Sequence, residues 1–517
     1  MAEAVIGAMG TLLPKMADLI TKEYNLQRGV RGEIMFLKAE MEPCMERPRS
    51  SLALTRRALR YLIVIDDIWD KSAWENIKYA LIENGYGTGG VYRLKPLSVV
   101  DSRKLFYQII YEMENKSQPN QLVEVSERIL KRCGVVPLAI LAIGSLLSSE
   151  KGRAHTHEYW SKVYKSISSG LDNNHDDVKN MRRILSVSYS GLPPHLKTCL
   201  LHLGLYPEDY EIEAEQLIWK WVGEGFVRKE QGRSLYEVGE DYLKELVNIN
   251  LVQPSYLNSL RRVHDMVRDF ITYLSHEENF LTTPDCQQLE YLPSKIRRLS
   301  LQTRNEEVGN QLATVSLSHV RSLTVFTPAF SLLPGLLCFP VLRVLDLAEC
   351  EVYNTHWNDI CNLFHLRYLN LRGTSITNIP KEIGNLQSLQ MLDIRSGQTY
   401  TRQRKRLTTG IAYPFLCLKM FGVKSDTMEL RFGRGAMQSL QTLKLDFQDV
   451  EDTLFQFGDF ALGLENLPSL EDVCVTFSED TSEKISSVEN ALRKEIDMNQ
   501  NKPRLRVTDM GLPMKDK

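Results

Sequence analysis

The sequence predicts a multidomain α/β protein: an N-terminal helical segment, an α/β segment with an acidic strand tip, a helical domain ending in a β-wing, and a long solenoid. Three observations predict it. The run Tyr61-Leu-Ile-Val-Ile65 is rich in β-branched residues and ends in Asp66 and Asp67, as a parallel strand buried on both faces would. Amphipathic helical stretches between 181 and 276 lead into two short strand-like segments. From Ile296 onward an L-x-x-L-x-L pattern recurs at intervals of 24, 22, 24, 23, 26, 25 and 30 residues, the period of a solenoid that contributes one strand per unit.

The bulk numbers agree with this division. A chain of 517 residues has room for about three domains at roughly 150 residues each. It is 43% hydrophobic and 25% charged, and its net charge is −2 from 63 basic and 65 acidic residues. That balance does not suit a general binder of nucleic acid or of acidic membranes. The nine cysteines contain no C-x-x-C pair and read as reduced thiols in the cytoplasm, mostly buried as small hydrophobes. The longest apolar stretch, Val135 to Leu147, has 13 residues with Pro137 and Gly144 inside it, too short to span a bilayer. Glu3 and Lys15 stand where a secretion signal would be positive and then apolar.

Residues 1–42 form the first segment. Ile6, Met9, Leu13, Met16 and Ile20 fall at steps of 3, 4, 3 and 4, and Val30, Ile34, Leu37 and Met41 follow after Gly29. Two such stripes make a helical hairpin or coiled coil that either packs on its own chain or meets a partner. Pro43 and Pro48 stop the helices. In residues 43–150 the acidic strand is followed by a helix from Trp74 to Leu81 and a connector, Asn84-Gly-Tyr-Gly-Thr-Gly-Gly90. Helices are expected over Asp101–Tyr111 and Gln121–Cys133, the latter ended by Gly134, and from Pro137, which suits a first helical turn.

Residues 151–280 hold helices at Met181–Tyr189, Pro194–Leu203, Ile212–Val222 and Tyr236–Val247. Leu251-Val-Gln-Pro254 and Arg262-Val-His264 can pair as a wing, and Asp265 starts a last helix. Helices followed by a wing predict a winged helix. The third helix places Leu217, Ile218 and Trp221 on one face, and carries Glu213 and Glu215 against the single Lys220. DNA reading needs a basic helix there, so no nucleic-acid partner is expected.

Residues 290–510 carry the repeats. The units start at Ile296, Val320, Leu342, Leu366, Leu389, a degenerate Phe415-x-x-Leu418-x-Met420, Leu440 and Leu470. A helix with Ile485, Val488, Leu492 and Ile496 on one side and a strand over Arg504–Val507 close the array. The basic stretch Arg402 to Arg406 reads as a solvated loop.

Taken in order, the motifs resemble a plant coiled-coil, nucleotide-binding (NB-ARC), leucine-rich-repeat disease-resistance protein, an NLR. Leu62-Ile-Val-Ile-Asp-Asp-Ile-Trp69 is similar to the family's Walker B strand, and Cys133-Gly-Val-Val-Pro-Leu-Ala139 to its G-L-P-L-A motif. Tyr206-Pro-Glu-Asp-Tyr210 resembles the winged-helix entry, and Val263-His264-Asp265 stands where the family has Met-His-Asp. The resemblance implies an innate-immunity receptor that exchanges ADP for ATP with Mg²⁺, then oligomerises. It places Asp66 on Mg²⁺, Asp67 at water, Pro137 on the adenine and His264 at the β-phosphate. The implied partners are proteins: a pathogen effector, a guarded host protein or a partner receptor. Membrane association and self-association stay open.

The chain departs from the family in one respect with large consequences. A phosphate-cradling loop needs G-x-x-x-x-G-K-[ST], and no Gly-Lys dipeptide occurs in the sequence. Only 18 residues lie from Pro43 to Arg60, whereas a βαβ unit needs about 30 or more. The strand bearing the family's sensor arginine is also missing between Gly90 and Pro96. Without a backbone nest and a lysine, acidic residues alone repel a triphosphate. The expectation is a truncated, remnant NB-ARC region, loosely packed over 43–130, and a receptor-like protein without ATPase activity that binds protein through the concave face of its repeats. The alternatives are a functional ADP/ATP switch, and a plain repeat-type binding module.

Overall fold

The computed structural model describes residues 97–111, 120–134, 136–149, 156–168, 177–255, 259–284, 295–302, 306–326, 329–376, 379–395, 410–411, 415–424, 431–447, 462–477 and 482–509. Asp66 and Asp67, the helices expected over 1–42, the Gly-rich connector and the basic stretch at 402–406 lie outside the described residues.

Five helices come first: α1 (Val99–Tyr111), α2 (Val123–Cys133), α3 (Pro137–Ser149), α4 (His157–Ser168) and α5 (Asp177–Gly191). Their sequences dictate their packing. α3 is apolar almost throughout and lies in the middle, with Ala139, Ile140, Ile143 and Leu147 fully buried. A helix hydrophobic on all sides must be surrounded, and α1 and α5 pack against it. Phe106 of α1 meets Trp160 of α4 edge to face at 5.7 Å. Gly134 ends α2 with φ of +60°, a left-handed turn that glycine adopts without steric cost. Loose packing over 43–130 is therefore not found where that range is described: Phe106, Ile110, Leu122, Val125 and Ile129 are buried in regular helices. These side chains bury themselves against α3 and α4, so they do not depend on the missing strands.

The winged helix follows: α6 (Pro194–His202), β1 (Ile212–Glu213), α7 (Ala214–Glu224), α8 (Leu235–Asn248), β2 (Gln253–Pro254), β3 (Leu260–Arg262) and α9 (Asp265–Glu277). The wing is antiparallel in the order β1-β3-β2. Ile212 and Glu213 were expected to open a helix. They are extended instead, because they pair with Arg261 and Leu260, and a sheet partner outweighs local helical pattern. A capping box starts α8: Glu237 N–H donates to Ser234 Oγ at 3.2 Å, and Ser234 N–H donates to Glu237 Oε2 at 2.8 Å.

The repeats form one nine-stranded parallel sheet: β4 (Arg298–Leu301), β5 (Ser322–Val325), β6 (Val344–Asp346), β7 (Tyr368–Asn370), β8 (Met391–Ile394), β10 (Met420–Lys424), β12 (Thr442–Phe447), β13 (Asp472–Phe477) and β14 (Arg504–Asp509). β9 (Gly410–Ile411) and β11 (Arg431–Phe432) make a separate parallel pair. A column of apolar residues fills the solenoid: Leu299, Leu323, Leu345, Leu369, Leu392, Phe421, Leu443 and Val473. Phe421 pairs with Leu392 and Leu443, so the sixth unit is framed as Leu418-x-x-Phe421-x-Val423. The expected frame starting at Phe415 is three residues early. Intervals become 29 and 22, and the extra length precedes the strand. α10 (Ser482–Met498) closes the array with Val488, Leu492 and Ile496 buried. Its Glu495 carboxylate accepts the Leu462 and Leu464 N–H groups, and Asn499 Nδ2 donates to the Leu464 and Leu467 carbonyls.

Candidate functional site

Side chains alternate across a strand, so each repeat strand sends its leucines into the solenoid and the residues between them to the opposite, concave face. Such a face, if solvated, should be polar. Here Val344, Tyr368, Met391 and Met420 occupy one row of it, each at most 1% exposed. They belong to the hydrophobic core of the helices and not to that of the solenoid. The element seated on them is α7. A Cβ placed on Gly223 would lie 2.9 Å from Tyr368 Cβ and 3.1 Å from Val344 Cγ2, so the glycine permits the closest approach. Buried residues run along the whole helix from Leu217 to Glu224, and the single apolar face expected from Leu217, Ile218 and Trp221 is only half of its contact. The concave face at β6, β7, β8 and β10 is thus covered by the chain's own winged helix, while the outward residues of β12, β13 and β14 keep solvent access.

The charges on α7 and β1 explain the fit. Lys220 Nζ lies 2.7 Å from Asp346 Oδ2, with side chains 1% and 8% exposed, and 4.7 Å above the Tyr206 ring. Burial alone would lower the Lys220 pKa, but Asp346 and Tyr206 hold it above its usual range. Glu213 pairs with Arg372, and Glu215 with Lys444. Asn370 Nδ2 donates to Gln216 Oε1 at 3.4 Å. The charge pattern that argued against DNA is a pattern made for the repeats.

At the end of α7, Glu224 accepts from Arg298 Nε at 3.0 Å. The guanidinium lies 4.2 Å from the Phe280 ring centre and 5.0 Å from that of Phe226. Burial works against the Glu224 anion, yet His202 and Arg298 hold its pKa at about 2. His202 Nε2 is 3.7 Å from Glu224 Oε1, beyond hydrogen-bond reach, and both its ring nitrogens lack a hydrogen-bond partner among the described residues. Burial drives its pKa down to about 4, so the imidazole is neutral at pH 7. Nearby, the Leu205 carbonyl accepts from Ser300 Oγ at 2.6 Å and Gln302 Nε2 at 3.0 Å. Tyr206 and Tyr210 stack at 5.4 Å, and both present edges to Phe326.

Two nucleotide-site residues carried over by resemblance lie among the described residues. Pro137 opens α3 and is exposed. His264 caps α9, its Nδ1 accepting the Met266 N–H at 3.3 Å. Both have the local roles of helix starter and cap. Their expected companions Asp66 and Asp67 lie outside the described residues. Sequence reasoning missed the interface residues Asp346, Tyr368, Arg372 and Lys444. The signal was present: a hydrophobic row, Val344, Tyr368, Met391 and Met420, at positions where a free repeat surface would be polar.

Comparison with known proteins agrees with this architecture. The family model described as the disease resistance protein winged helix domain matches residues 205–271, and that of a leucine-rich repeat region matches 319–401 and 397–505. Disease resistance protein RGA5 of Oryza sativa subsp. japonica is 30% identical over 499 residues, covering 89% of this chain and 42% of that protein. The chain is a homologue of the plant NLR disease-resistance proteins. Disease resistance protein Pik-2 of the same organism is 33% identical over 370 residues, covering 66% of this NLR homologue and 36% of Pik-2. Probable disease resistance RPP8-like protein 2 of Arabidopsis thaliana is 31% identical over 373 residues, 65% of this chain and 40% of that one. The NLR homologue spans about two fifths of the length of these relatives. Among the described residues, no helix is long and apolar enough to cross a membrane, and no cysteine pairs with another.

Proposed function

We propose that this protein is a receptor-like component of plant disease resistance that works through protein contacts of its repeats, without ATPase activity and without an operating nucleotide switch. One observation carries the reading: the winged helix is seated on the concave face of the repeats through the buried Lys220–Asp346 pair. A partner protein, whether an effector, a guarded host protein or another receptor, would then displace α7 or bind the remaining repeat surface. The sequence supports the loss of the switch, because it has no Gly-Lys dipeptide and only 18 residues lie from Pro43 to Arg60.

The second reading, an ADP/ATP switch with Mg²⁺ at Asp66, Asp67, Pro137 and His264, draws on the motif order alone. Nucleotide released from denatured, purified protein separates the two. The proposal expects far less than one nucleotide per chain, and a near-stoichiometric yield of ADP would overturn it.

A further inference from the structure

The residue just before each repeat strand forms a second column, outside the concave face. Along the first eight strands of the sheet it reads Arg297, Arg321, Arg343, Arg367, Gln390, Lys419, Gln441 and Glu471. The first four rungs are in register. The Arg321 N–H donates to the Arg297 carbonyl at 2.7 Å, that of Arg343 to Arg321 at 2.7 Å, and that of Arg367 to Arg343 at 2.8 Å. Neighbouring strands lie about 4.8 Å apart, so four guanidinium stems rise from adjacent backbones. Like charges directly opposite one another destabilise a sheet. Among the described residues, none of the four side chains has an ion-pair or hydrogen-bond partner. Glu224, the one carboxylate acting on Arg343, is held by Arg298. Burial, then Arg367 and Arg321, pushes the Arg343 pKa down.

Three of these arginines line a groove of about 360 Å³ together with Lys295, His319, Val341 and His365. Among the described residues, no carboxylate lines it. We propose that this groove binds a compact polyphosphate, a small molecule bearing two or more phosphate groups, held by Arg297, Arg321 and Arg343 and flanked by Lys295, His319 and His365.

Three arguments choose this ligand class. Guanidinium forks match phosphate oxygens bidentately, and a multiply charged anion relieves the repulsion along the column. The volume is that of a small-molecule site. Longer polyanions fit poorly: an extended acidic peptide presents same-side carboxylates about 6.7 Å apart, out of step with rungs about 4.8 Å apart. A nucleic acid tracking the column would meet Gln390 after four rungs and Glu471 at its end.

The test is calorimetric titration of the full chain with inorganic tripolyphosphate, with hexaglutamate as the peptide probe. Two doubly substituted chains of equal charge are compared: Arg297→Gln/Arg321→Gln in the ladder, and Arg228→Gln/Arg434→Gln elsewhere. All four residues are exposed, so neither chain should melt below the parent. Saturable 1:1 binding of tripolyphosphate, weakened at least tenfold in the ladder variant and unchanged in the other, is expected. The proposal is overturned by absent saturation, by a ladder variant that binds like the parent, by equal losses in both variants, or by tighter binding of hexaglutamate than of tripolyphosphate.

Discussion

Lys220 is a charged residue held almost entirely out of solvent. An ammonium group 1% exposed is tolerable only with a charged partner at contact distance, and Asp346 at 2.7 Å supplies it. The aromatic face of Tyr206 takes a second side of the cation. Removing one member of such a pair leaves the other buried and uncompensated. Lys220→Met should therefore cost about 3–5 kcal/mol in a denaturant titration. Lys220→Met with Asp346→Leu should recover most of that loss, because two apolar groups of similar volume replace a pair whose desolvation cancelled much of its attraction. A double variant as unstable as the single one would show that the pair does not fasten α7 to β6.

The relation of α7 to the repeats can be probed at Gly223. In a solvated helix, glycine to alanine gains about 1 kcal/mol from propensity. The sign should reverse here, since the new Cβ would meet Tyr368 Cβ, which cannot swing aside as a chain end could. Gly223→Ala should destabilise by about 1–3 kcal/mol and speed amide exchange along α7, while exchange in β12, β13 and β14 stays as it was. The same element shows what the sequence reveals. The repeat strands were legible because Leu299, Leu323, Leu345 and their successors keep a fixed spacing, and the wing because short extended segments flank it. The pairing of Ile212 and Glu213 with β3 was not legible, because a two-residue strand has no periodicity and depends on residues 47 to 49 positions away. The frame at Phe421 was hidden by a decoy match three residues upstream. Of the site, the acidic residues of β1 and α7 were visible as charges, yet their partners Arg372 and Lys444 lie in distant repeats. Only folding brings them together.

On the scale of the whole molecule, α6, α7 and β4 meet at His202, Glu224 and Arg298, so a proton taken up there is felt by the winged helix and the repeats together. His202 has a folded-state pKa of about 4 against the ordinary 6.5. The unfolded chain then binds the proton first, and stability falls as pH drops from about 7 through 6.5 toward 4. For a fully buried imidazole this amounts to on the order of 3 kcal/mol. Glu224 acts in a lower window. Its carboxyl, held at about 2 against 4.5, contributes stability that is present above about 4.5 and lost only as pH falls toward 2. The two windows let one substitution separate them. His202→Leu removes two buried nitrogens that lack partners, a change that is nearly neutral at pH 7 when an apolar group fills the space. Thermal unfolding of the full chain should then show a shallower fall in melting temperature between pH 6.5 and 4.5 than the parent shows, with the decline below 4.5 retained. A variant that kept the parent's slope between pH 6.5 and 4.5 would assign that slope to other groups and remove His202 from the junction's acid response.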